Sequence, residues 1–247
     1  MTRARNLSVL ASLVLAVSGP AALAKEAKRP NFLIIIADDL GFSDVGAFGG
    51  EIATPNLDRL AMSGLRFTGF HTAPTCSPTR SMLLSGTDNH IAGLGNMAEV
   101  LASNQKGQPG YEGYLRTDIA SLAERFSAGG YRTLFSGKWH LGVKPEQDPY
   151  ARGFQQSFAL LQGGHNHFGK DVSLDQSKGN TYSLNGRPLA TLPADFYSSD
   201  YFATQMIGQL QTSRKSGKPL FWLSLFHCAA LAASGPGRGY CPVQGTL

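Results

Sequence analysis

The chain has 247 residues, 42% of them hydrophobic, with 22 Lys and Arg against 17 Asp and Glu for a formal charge of +5. The basic residues are scattered rather than gathered into a stripe, which excludes a nucleic-acid binder as the favoured reading. Three cysteines, Cys76, Cys228 and Cys241, are too few and too unevenly placed for a disulfide framework.

Arg3 and Arg5 precede an apolar stretch from Leu7 to Val17, followed by Ala22-Leu23-Ala24. This is the pattern of a secretory signal peptide with a small-residue cleavage site. The stretch is well short of the roughly 20 residues that a membrane-spanning helix needs. Residues 1–24 are therefore read as a signal peptide rather than a retained anchor, and the protein as exported, to the periplasm or the medium. Removing Arg3 and Arg5 leaves a formal charge of +3 on the mature chain, which can form one domain with a sizeable core.

The run Asn31 to Ala37 is continuously apolar and β-branched and stops at Asp38-Asp39. It predicts a buried parallel strand with two carboxylates at its carboxyl end, where open α/β sheets place their ligands. Adjacent carboxylates repel unless donors or a cation hold them, and calcium suits such an oxygen-rich setting. A helix cap beside a solvated loop residue is the plainer reading of the pair. Thr54 and Pro55 predict a helix start with Leu57, Leu60 and Ala61 on one face. Leu65 to Phe70 alternates like a strand.

In Cys76-Ser77-Pro78-Thr79-Arg80, Pro78 suits a first helical turn, leaving Cys76 at or just before the helix N-terminus. Backbone N–H groups there favour an anion, and together with Arg80 they predict a stabilised thiolate. A small buried cysteine beside a cap is the plainer alternative. Thr117 or Asp118 can cap a helix bearing Ile119, Leu122, Ala123 and Phe126, closed by Gly129-Gly130 and followed by a strand from Tyr131 to Phe135. A polar, Gly-rich segment from His165 to Pro193 reads as loop. A helix from about Ser198 to Leu210 and a strand from Leu220 to Phe226 complete an α/β order.

Cys-x-Pro-x-Arg at Cys76 to Arg80 resembles the signature of the type I sulfatases, and the likeness extends from Thr72 to Gly86. Asn31 to Gly41 is similar to the family's opening block, and Gly129 to Thr133 with Ser136 to Gly142 to its second signature. Gly153-Phe154 through Asn166-His167-Phe168-Gly169 resembles bacterial arylsulfatases. The resemblance, from about Lys28 to Phe226, implies the alkaline-phosphatase-like α/β fold, a large mixed sheet flanked by helices, in truncated form.

It further implies that Cys76 is oxidised to formylglycine by a formylglycine-generating enzyme or an equivalent maturase. The hydrated aldehyde would attack the sulfur of a small-molecule sulfate ester with one hydroxyl and expel sulfate through the other. Asp38 and Asp39, with the hydrate of Cys76, would hold a calcium ion; Arg80 would orient the hydrate. Lys138 would contact the sulfate or the hydrate, and His140 would take the second hydroxyl's proton. A phosphonate or phosphodiester hydrolase using the same machinery, a thiol-dependent hydrolase, and an inactive fragment or binding module are the competing readings.

The family continues past this length and carries an Ala-Pro-His-Trp-Pro run just after this strand, its histidine falling at about position 230, where this chain reads His227-Cys228-Ala229-Ala230-Leu231-Ala232-Ala233. Codons permitted from Phe226 onward, read one nucleotide later, can spell that motif. Residues 25–226 are accordingly read as the N-terminal part of the catalytic domain, and 227–247 as a tail from a shifted frame, in which Cys228 and Cys241 have no role and apolar sheet surface is left uncovered.

Overall fold

The apolar run that opens the mature chain forms strand β1 (Phe32–Asp38) in a computed structural model describing residues 28–164, 167–169 and 182–227. The leader, Asn166 and the two distal cysteines lie outside the described residues. All elements belong to the unit that begins at Asn31. The other strands are β2 (Arg132–Lys138), β3 (Gln156–Leu160), β4 (Tyr182–Leu184), β5 (Arg187–Pro188) and β6 (Leu220–His227). They form one mixed sheet in the order β1-β6-β2-β3-β4-β5. The first four in that order are parallel, and β4 and β5 add antiparallel at the far edge.

The helices are α1 (Pro55–Ser63), α2 (Cys76–Ser85), α3 (Leu122–Ala128) and α4 (Ser198–Arg214). One core cluster joins Leu84 of α2 and Ala123 of α3 to Phe135, Phe221, Leu223 and Leu225 of the sheet. A second joins Phe202 of α4 to Phe158, Leu160, Tyr182 and Phe196. Ser136, on β2, donates to the carbonyl of Phe202 at 2.8 Å, which ties α4 to its own face of the sheet. Parallel strands with helices on both faces aim their carboxyl ends, at Asp38 and Lys138, toward one rim.

Several elements depart from the sequence reading. β1 is parallel, as expected, but among the described residues it is an edge strand with only one face covered. Ile34 and Ile36 pack on the core, whereas Leu33 and Ile35 are 53% and 45% exposed. The apolar face of α1 is likewise open, with Leu57 and Leu60 exposed. Leu65 to Phe70 forms no strand, because alternation specifies faces but not a partner, and no described strand lies beside it to take its backbone groups.

α3 starts later than Thr117 or Asp118 because Asp118 is drawn off by Arg116 at 2.5 Å. Ser121 caps instead: it accepts from the Glu124 N–H at 3.0 Å while Glu124 accepts from the Ser121 N–H at 2.6 Å. Part of the segment read as loop is the β4–β5 hairpin, turned by Asn185 and Gly186 at φ 51 and 76.

Gly137 lies where β2 meets β6 closely: an added Cβ would fall 2.0 Å from the Leu225 carbonyl oxygen, and φ is +133. Gly137→Ala should therefore cost about 3 kcal/mol or more by strain and overpacking, measured as the urea midpoint. A loss below about 1 kcal/mol would mean the strands are not this close.

Candidate active site

Asp38 closes β1, is buried, and is gripped by two cations. Arg80, from the second turn of α2, donates through Nη2 to its Oδ1 at 2.8 Å. Lys138, the last residue of β2, donates through Nζ to its Oδ2 at 2.5 Å. Arg80 also donates through Nη1 to the Lys138 carbonyl at 2.7 Å, so one guanidinium fastens the ends of both strands. Arg80 and Lys138 are 3% and 2% exposed, which makes these charge-assisted bonds between desolvated groups.

Cys76 opens α2, half-buried, and Asp39 follows Asp38 in the left-handed region at φ 59, exposed to solvent. Ligand atoms of Asp38, Asp39 and Cys76 all lie within 4.8 Å of one another. The two carboxylates, as oxygen donors, fit a hard cation. The sulfur of Cys76 does not fit calcium, because it is a soft donor; an oxygen in its place would. Two carboxylates and two cations leave this group formally neutral.

The expected thiolate is not supported. Burial pushes the Cys76 thiol above its ordinary range and Asp38 adds to that, outweighing Lys138 and Arg80. The helix N-terminus and Arg80 were visible locally in the sequence, whereas the burial and the carboxylate of β1 come from the fold.

Trp139 is buried in the core and donates from Nε1 to the Gln147 carbonyl at 2.8 Å, anchoring the segment between Lys138 and His140. His140 has φ 58 and is 7% exposed. Its Nε2 lies 2.8 Å from Oε1 of Glu99, close but not aligned as a directed hydrogen bond. Burial lowers the His140 pKa, with Glu99 opposing and Lys138 and Arg80 assisting, so the ring is neutral at pH 7. For Glu99 burial works to raise the pKa, but His140 and Lys138 more than offset it and the carboxylate stays ionised. The structure thus joins Asp38, Arg80 and Lys138 directly, sets Asp39 and Cys76 beside them, and gives His140 a partner that sequence reading missed. Glu99 sits in a single short 3-10 turn, Ala98–Val100, with no distinguishing sequence pattern around it.

The sulfatase family pattern matches residues 30–228. An uncharacterized sulfatase of Schizosaccharomyces pombe is 54% identical over 200 residues, covering 77% of this chain and 36% of that protein. An arylsulfatase of Klebsiella aerogenes is 40% identical over 220 residues, covering 89% and 47%. The chain thus spans less than half the length of these relatives. Among solved structures, the PsFucS1 sulfatase from Pseudoalteromonas sp. superposes with a TM-score of 0.65 at 24% identity, over 92% of this chain and 48% of that one. The mixed sheet between helices is the alkaline-phosphatase-like fold.

Proposed function

This chain belongs to the sulfatase family, and from that premise we propose that it serves the hydrolysis of sulfate esters, of the arylsulfatase type, with Cys76 as the precursor of the nucleophile. The observation that carries the reading is the convergence of Arg80 and Lys138 on Asp38, beside Asp39 and Cys76, from three separate sequence blocks. Formylglycine made from Cys76 supplies, as its hydrate, one hydroxyl to attack sulfur and a second to release sulfate. A calcium ion held by Asp38 and Asp39 supplies positive charge for the oxygens that become anionic.

The chain's own residues divide the remaining work. Arg80 locks Asp38 and thereby fixes the ligand oxygens relative to the start of α2. Lys138 presents a desolvated positive charge to an anionic substrate, where Coulomb attraction exceeds that in water. His140, neutral at pH 7, takes a proton at a ring nitrogen while sulfate leaves. Adding a divalent cation to the neutral group of Asp38, Asp39, Arg80 and Lys138 gives a net positive site suited to a sulfate oxyanion. The reading includes export directed by residues 1–24 and conversion of Cys76 by a formylglycine-generating enzyme or an equivalent maturase.

Steady-state hydrolysis of paired aryl sulfate and aryl phosphate esters, before and after a calcium chelator, tests this. Sulfate turnover should exceed phosphate turnover, vanish with the chelator and return with calcium. Phosphate or phosphonate turnover at least as fast would reassign the chain to the related phosphoryl hydrolases, and chelator-resistant sulfate turnover would remove the metal.

A further inference from the structure

We propose that Glu99 is a positioning residue for His140: its carboxylate pairs with Nε2 and makes the buried ring able to accept a proton at Nδ1. The inference rests on the reading of His140 as the proton acceptor. The electrostatics require such a partner. His140 is 7% exposed and the charges that Lys138 and Arg80 place near it are both positive, so a proton arriving on the ring meets burial and two like charges. Glu99 is the carboxylate that acts against them, with Oε1 2.8 Å from Nε2.

Three further observations fit a pair held in place rather than a chance contact. His140 keeps φ 58, a conformation costly for a residue with a side chain and kept only where its surroundings enforce it. Gly163, just past β3, leaves the space the pair occupies: an added Cβ there would lie 2.4 Å from Glu99 Oε1 and from His140 Nε2. Both ring nitrogens are buried without a directed hydrogen bond among the described residues, and because Nε2 faces Glu99 at 2.8 Å, Nδ1 is the nitrogen left to take a proton. In the release step the hydroxyl proton moves to Nδ1, the carbon–oxygen bond to sulfate breaks with its electron pair leaving on sulfate, and the carbonyl forms. Glu99 neutralises the imidazolium that results.

The test uses the full chain and three variants, Glu99→Gln, Glu99→Asp and Gly163→Ala. Nitrogen NMR of labelled histidine follows the His140 ring against pH, assigned by His140→Gln, alongside steady-state hydrolysis of an aryl sulfate. Glu99→Gln keeps the shape and removes the charge. It should lower the midpoint for His140 protonation by about one pH unit or more and reduce kcat by roughly ten- to a hundredfold with KM little changed. Gly163→Ala, which separates the partners without altering either charge, should move both readings the same way, and Glu99→Asp should retain part of each. An unmoved midpoint in Glu99→Gln overturns the pairing. A shifted midpoint with unchanged kcat overturns the positioning role. Absence of turnover in the parent chain counts against the sulfatase reading, while the NMR midpoint still decides the pairing.

Discussion

Cys76→Ala should reduce sulfate ester hydrolysis by about four orders of magnitude or more while shifting the melting temperature by only about 2 °C. Cys76 is half-buried at the first position of α2, where alanine is accommodated without a cavity of consequence. The loss would therefore be chemical. Because burial and Asp38 hold the thiol protonated, the unmodified side chain is a poor nucleophile at pH 7, and activity of the parent chain should track the fraction of Cys76 converted to the aldehyde. Intact mass and turnover, measured on the same preparations, check this. Full activity with an entirely unmodified thiol would favour a thiol-dependent hydrolase instead.

Asp38→Ala should be the most damaging single change to stability. It leaves Arg80 and Lys138, 3% and 2% exposed, as buried cations without their carboxylate. Removing one partner from such a cluster costs about 3–5 kcal/mol, a large share of the stability of a small domain. Calcium affinity should fall with it. Asp39→Ala is the control that separates the two effects. Asp39 is exposed, so its loss should cost no more than about 1 kcal/mol of stability and still weaken calcium binding. Chemical denaturation and calcium titration on both variants check the pair of outcomes. Equal stability losses at the two positions would mean that the ion pairs around Asp38 contribute little to the fold.

The centre of this site was legible in the sequence because its members sit in separate short blocks whose residue types are unusual together. Asp38 and Arg80 are separated by 42 residues and Asp38 and Lys138 by 100, yet Asp38 and Lys138 end strands and Arg80 lies in the second turn of a helix, each within a recognisable short block. What could not be read was set by tertiary neighbours. The alternation of Leu65 to Phe70 carried no information on whether a strand would lie beside it. Glu99 acquires its meaning only when the β2–β3 ladder brings His140 and Gly163 together, through the Trp139 and His140 N–H groups donating to the Leu160 and Leu161 carbonyls at 2.7 and 3.2 Å. The β4–β5 hairpin did have a signal, in Asn185-Gly186, but it was masked by the Gly-rich polar composition around it.

The strand order also imposes a timetable. β6 lies between β1 and β2, and the Leu220 N–H donates to Asn31 across 189 residues of chain. The carboxylate on β1 therefore reaches the lysine on β2 only after β6 has left the ribosome and slotted between them. At about 5–20 residues per second, synthesis from Cys76 to His227 takes on the order of ten seconds. Throughout that interval the Cys76 segment has no finished sheet to dock against and is exposed as a linear peptide; once β6 inserts, α2 is clamped by Arg80 and that exposure ends.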